Sequence, residues 1–335
     1  MGYEFLNNSP SFTFVICLRN PLDKAVNNYA LLEDLLKMTV ASLSEQTYPN
    51  VHIVVVCHQA PQWLSEFGDN VHILNVSGNS VFLPDANATA LDKSLRWIIG
   101  AVYALSNLNP KFIMLMDADD YVNVSLADHC FGSISDAGEY DFYLINSGVQ
   151  VALHIPADGT ISFSRAFVVN QFDQTCGSCR VFMADRLRER LLEKVSPLLL
   201  EKFSGIFPRT DSVREVVVAP DCVEWLFEAS QDARKESGFF STFGRHINQD
   251  IEFTYSALEI LGAAKGCGHG NHEGHRRGGL HFERIVRKMP MDEFISTFGL
   301  ERIGRKSHLV AGILCDLSRY KFGVKGKMRE IFKSR

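Results

Sequence analysis

The run Phe112-Ile-Met-Leu-Met116 is apolar throughout and ends on Asp117-Ala-Asp119-Asp120, three carboxylates within four residues. No other stretch of the chain constrains its fold as strongly. An unbroken apolar run of this length fits a central strand covered on both faces, and the acids then emerge at its carboxyl end, where open α/β sheets bind ligands. Asp117 and Asp119 flank a small residue, so their oxygens can converge on one hard divalent cation and the phosphates that it carries. The alternative is a cap on the following turn, Tyr121 to Ser125, but one carboxylate suffices for that.

The preceding segments alternate in period. Phe12 to Leu18 reads as a strand, and Ala30 to Gln46 as a helix with Leu32, Leu36, Val40 and Leu43 on one face. Val51 to Cys57 and Val71 to Val76 are further strands, Leu91 to Leu105 a second helix, and Tyr140 to Ile145 another strand. This alternation predicts an α/β fold: a doubly wound, mainly parallel sheet with helices on both faces. After Val151 the rhythm changes. Met183 to Val195, Asp221 to Ser230 and Asp250 to Leu261 are expected as helices, with a Gly/His-rich loop from Gly262 to Leu280 and a short apolar helix near Leu309 to Leu317. The expected organisation is a nucleotide-binding half over residues 1–150, an acceptor-facing half over 151–285 and a helical C-terminal extension over 286–335.

A net charge of −5 and the lack of aromatic-basic interleaving argue against a nucleic-acid partner. Eight dispersed cysteines, several inside apolar strands, read as reduced thiols, and no secretory h-region or membrane-spanning run is visible, so a cytoplasmic location is expected. The sequons at Asn75, Asn87 and Asn123 are then chance matches. From Lys306 to Arg335 there are eight basic side chains against two acidic ones. That tail is either a plain surface tail or a peripheral contact with anionic lipid.

Ser42-Leu43-Ser-Glu-Gln46-Thr-Tyr48-Pro49, the strand Val51 to Val56, Asp92-Lys93 and Met114-Leu-Met-Asp117-Ala-Asp119-Asp120 together resemble the donor half of family 2, GT-A-fold glycosyltransferases. The resemblance spans residues 11–132, and more loosely 175–275. It implies a nucleoside diphosphate sugar, a uridine diphosphate sugar being favoured, with Mn²⁺ or Mg²⁺ at the Asp-x-Asp motif. Asp119 is then the best metal ligand, Asp117 touches ribose or metal, and Asp120 supports the site. Arg19 and Asn20 follow the first strand, where the nucleotide is expected. Lys93 either reaches the nucleotide or is a solvated first-turn lysine. Cys57-His58-Gln59-Ala60 departs from the family, which usually has Asp-Asp-Gly-Ser there.

In the second half the family supplies a catalytic carboxylate from a phrase that opens a helix, and Gln249-Asp250-Ile-Glu252 fits that place. Asp250 is the expected general base, with Glu252 as alternative and Asp221 and Glu224 as distant candidates; its bland role is a helix N-cap. Cys267-Gly-His269-Gly-Asn271-His272-Glu-Gly-His275 resembles a His-Gly-x-Asn-like phrase that can complete the metal site, through His269 or else His272. Arg276-Arg277 could instead grip phosphate. Cys176-Gly177-Ser178-Cys179 reads as a close-approach loop more than a zinc or redox pair.

The expectation is thus a metal-dependent, inverting glycosyltransferase acting on a hydroxyl acceptor, saccharide or lipid-linked. Its rivals are a degenerate nucleotide-sugar-binding module of the same fold and a nucleotidyltransferase.

Overall fold

The computed structural model describes residues 9–21, 28–76, 88–134, 140–154, 161–174, 176–204, 215–236, 254–267 and 284–301. Its first strands are β1 (Ser11–Cys17), β2 (Val51–Cys57), β3 (Val71–Asn75) and β4 (Pro110–Asp117). β1 pairs in parallel with both β2 and β4, and β2 with β3. A later short strand, β9 (Glu215–Val217), joins β3, also in parallel. This parallel block confirms the expected α/β class. β1, β2 and most of β4 are buried on both faces, which their near-continuous apolar sequences require.

α1 (Tyr29–Ser44) starts where the Asn28 side chain accepts a hydrogen bond from the Leu31 amide at 3.1 Å. Its stripe of Leu32, Leu36, Val40 and Leu43 is buried as the periodicity predicts. α2 (Ala88–Asn107) lies across β1 and β2 so closely that a Cβ on Gly100 would stand 2.3 Å from Val15 Cγ1. Glycine here permits helix-to-sheet contact.

Beyond β4 the sheet turns antiparallel through β8 (Arg180–Met183) to β6 (Phe142–His154). β6 is 13 residues long and serves two partners along one edge: β8 holds Phe142 to Leu144, and β7 (Ser162–Asn170) takes over from Ser147. Its other edge carries β10 (Tyr255–Cys267) in parallel. β5 (Asp120–Val122) attaches to β10, and β11 (Ile285–Met289) closes on β7. One sheet therefore runs across residue 150. A second core cluster, including Met38, Tyr121, Val149 and Phe294, fills the space under this branch. α3 (Leu126–Ser133), α4 (Ala184–Lys194), α5 (Leu199–Ser204), α6 (Pro220–Glu236) and α7 (Met291–Thr297) complete the described α-helices.

One expected helix is a strand. The segment read as helical from Asp250 to Leu261 forms β10 from Tyr255 onward, and the first residues of the expected Gly/His-rich loop continue that strand to Cys267. An apolar run such as Ala257-Leu-Glu-Ile-Leu-Gly-Ala-Ala264 suits either period, and the open edge of β6 decides. Gly262 sits at a close approach of β10 to β6: a Cβ there would stand 2.9 Å from the Ile145 side chain. The tail from Lys306, including the expected helix near Leu309, lies outside the described residues. Among the described residues, no helix is long and apolar enough to cross a membrane.

Candidate active site

The site begins where β4 ends. Ligand oxygens of Asp117, Asp119 and Asp120 lie within 4.8 Å of one another, with Asp119 and Asp120 buried and Asp117 half-buried. This is the convergence expected from the sequence, but what holds it was only partly visible there. α1 presents a polar row toward the segment after β4. Thr39 Oγ1 donates to the Ala118 carbonyl at 3.0 Å, and Ser42 Oγ exchanges hydrogen bonds with the backbone of Val122 at 3.1 Å in both directions. Gln46 Nε2 donates to the Asn123 carbonyl, while its Oε1 accepts from the Ala127 amide. Ser42 and Gln46 of the family-like phrase are thus brackets for the acidic segment, and Thr39, which belongs to no motif, is a third.

The loop Cys176-Gly177-Ser178 closes the other side. Cys176 Sγ donates to Asp120 Oδ2 at 3.0 Å, and Ser178 Oγ accepts from the Asp117 amide at 2.8 Å. A Cβ on Gly177 would stand 3.1 Å from Asp117 Oδ2. This is the close approach expected of the loop, made against the carboxylates themselves. Cys176 and Cys179 are both free thiols, and burial pushes the latter's pKa up to about 12.

Lys93, in the first turns of α2, is not a solvated lysine. Its ammonium contacts Asp117 Oδ1, lies 4.5 Å from the centre of the Trp97 ring, and its side chain is 29% exposed. Asp92 is engaged by Arg96, whose Nε and Nη2 donate to it at 3.0 and 2.7 Å. Arg96 itself is buried, and its Nη1 donates to the Leu18 carbonyl. A cavity opens between these elements, lined by Cys17, Leu18, Arg19, Leu32, Asp92, Lys93, Arg96, Asp117 and Ala118. Asn20 follows Arg19, half-buried.

At the end of β2, where the resembling family carries acids, burial and the nearby Arg96 charge push the His58 pKa down to about 3, so that imidazole is neutral. Burial also lifts the Cys57 thiol to about 12. Tyr29 faces this corner, with its hydroxyl buried and lacking a hydrogen-bond partner among the described residues. The corner therefore balances Arg96 with Asp92 from α2, where the family pattern would place an acid after β2.

Asp250, Glu252, His269, His272, Arg276 and Arg277 lie outside the described residues, whereas Asp221 and Glu224 are exposed on α6. Thr254, immediately before β10, is anchored firmly: Asp141 accepts from its amide at 2.8 Å, from its hydroxyl at 3.0 Å and also from Arg190.

As a donor set, three converging carboxylates offer hard oxygen ligands, which suits Mn²⁺ or Mg²⁺. The neighbouring cavity has cationic side chains on its walls, which suits a phosphate-bearing ligand.

No protein-family model matches the sequence, and no curated protein matches it. Among solved structures, residues 1–349 of Staphylococcus aureus TarS align at 13% identity and a TM-score of 0.34, over 76% of this chain and 60% of that one. A longer S. aureus TarS chain aligns at 13% identity and a TM-score of 0.30, over 68% and 39% respectively. This chain thus spans less than two thirds of either TarS chain. The galactosyltransferase LgtC, in complex with donor and acceptor sugar analogs, aligns at 12% identity and a TM-score of 0.33, over 77% and 88%.

Proposed function

We propose that this chain is a metal-dependent glycosyltransferase of GT-A type, moving a sugar from a nucleoside diphosphate sugar to a hydroxyl acceptor with inversion. The observation that carries this reading is the meeting of the acidic triad at the end of β4 with the cavity between β1 and α2. In an open α/β sheet that is where a nucleotide is held.

Asp117 and Asp119 would hold the ion, and Asp120, gripped by Cys176, supports them. The bound ion supplies charge neutralisation for the departing diphosphate. Arg19 and Lys93, which line the cavity, and Asn20 beside Arg19 would then contact the donor. Asp250 is the proposed base that takes the acceptor hydroxyl proton as that oxygen attacks the anomeric carbon; His269 is the proposed supplementary metal ligand. Residues 151–285 would hold the acceptor, and the basic tail would serve a peripheral membrane contact if that acceptor is lipid-linked.

A thermal-shift screen of nucleoside diphosphate sugars with and without Mn²⁺ tests this directly, a donor that stabilises only with the metal being the expected result. Asp119→Ala should abolish that stabilisation, whereas Asp250→Asn should keep it and lose transfer. A second reading, a binding module without turnover, draws support from His58 in the place of an acid. Release of free nucleoside diphosphate in the presence of Mn²⁺ would exclude it.

A further inference from the structure

Lys93 is placed with unusual care for a residue near a helix start. Its carbonyl accepts from Cys17 Sγ at 3.6 Å, tying the backbone to the end of β1. Its ammonium lies over the face of Trp97, 4.5 Å from the ring centre. Trp97 is 2% exposed, and its Nε1 donates to the Met116 carbonyl at 3.2 Å, on the residue preceding Asp117. The shelf beneath the ammonium is therefore bonded to the strand that carries its partner. On the remaining side, the position of a Cβ on Gly177 is 3.8 Å from Nζ. Three elements thus converge to keep one positive charge against Asp117.

We infer that Lys93 is a resident counter-cation of the triad, which a divalent ion must displace from Asp117, so that Lys93 sets how weakly the site holds the bare ion. This rests on the triad being the cation site proposed above. Three carboxylates in close array repel one another, and an ammonium on the least buried of them relieves that strain cheaply. An arriving dication competes for the same carboxylate and also meets a like charge. A ligand phosphate removes the conflict, because it offers the ammonium a new partner and leaves Asp117 to the ion. The site would then fill in concert with its phosphate-bearing ligand instead of storing metal beforehand.

The test is direct Mn²⁺ titration, followed through the spectroscopic signal of the free ion, on the full chain and on Lys93→Met, Lys93→Arg and Asp119→Ala. Lys93→Met should bind Mn²⁺ on the order of tenfold more tightly than the parent, the effect expected when one like charge leaves a partly exposed site. Lys93→Arg, which keeps the charge, should stay close to the parent, and Asp119→Ala should not bind. Lys93→Gln repeats the measurement with a polar side chain in case methionine disturbs the Trp97 face. Mn²⁺ uptake of equal or lower affinity in both neutral variants would overturn the role given to Lys93 while leaving the cation site standing. No uptake by parent or variants would overturn the cation site itself, and the inference with it.

Discussion

The Cys176 thiol donates a hydrogen bond to Asp120 Oδ2 at 3.0 Å, and both residues are 1% exposed. Removing a donor from a buried carboxylate costs about 1–3 kcal/mol and loosens the group it held. Cys176→Ala is therefore expected to weaken Mn²⁺ binding several-fold, whereas Cys176→Ser, which retains a donor, should restore most of it. Calorimetric titration of both variants, beside their melting temperatures, separates loss of positioning from loss of fold.

Gly100→Ala should destabilise the protein even though alanine favours helix. A Cβ there would meet Val15 Cγ1 at 2.3 Å and Val56 Cγ2 at 3.0 Å, so α2 must lift from the sheet. Overpacking of this kind costs about 1–3 kcal/mol. Gly132, in α3, has nothing within 4 Å of its Cβ position. Gly132→Ala should be neutral or stabilise by up to about 1 kcal/mol. Urea denaturation of the two variants should move the midpoints in opposite directions, or move only the first.

Asp141→Asn should loosen the entry to β10 at Thr254. Burial pushes the Asp141 carboxyl up, but hydrogen bonds from Arg190 and Thr254 outweigh this and hold it below the ordinary carboxylate range. With a neutral amide, Arg190 keeps Glu193 but loses the charged, two-oxygen acceptor, and a single amide oxygen is left to serve Thr254, a loss of about 2–4 kcal/mol. Hydrogen exchange at the start of β10 should accelerate in this variant more than exchange within β1.

Acidification should weaken the fold through the paired imidazoles of β2 and β3. His52 Nδ1 and His72 Nε2 are 3.1 Å apart, and the Tyr103 hydroxyl lies 3.0 Å from His72 Nδ1. Burial, and then the neighbouring His52, pushes the His72 pKa down to about 4 from an ordinary 6.5. The unfolded chain thus takes up a proton that the folded one refuses, and stability falls as pH drops below 6.5 toward 4. About 2 kcal/mol should be lost by about pH 5. His72→Gln should flatten that slope, read by denaturation at each pH.

Much of this architecture was legible because its central strands have only one use. β2 runs from Val51 to Cys57 as its sequence implies, and the acids after Met116 emerge at a strand end because nothing else in that segment tolerates water. What stayed hidden depends on neighbours. Thr39 carries no signature of its own, and its reach to Ala118 exists only once α1 packs against β5 and the turn before it. Cys176 reads as half of a Cys-x-x-Cys pair until the fold brings Asp120 to it. β10 was misread because Ala257 to Ala264 is apolar enough for either period, and the exposed edge of β6, far away in sequence, selects the strand.

β5 has consequences for the order in which the molecule matures. Among the described residues its strand partner is β10 alone, through Ala263 to Lys265, roughly 140 positions downstream of Asp120. Closing so long a loop is slow, and domains assemble as the ribosome delivers them. A nascent chain that has emerged only to α6 can already form the parallel block, yet it still lacks the backbone partner that clamps Asp120. The proposed cation site therefore gains its last backbone support only once Ala263 to Lys265 have been made, and a product truncated before Thr254 would keep the parallel block without that support.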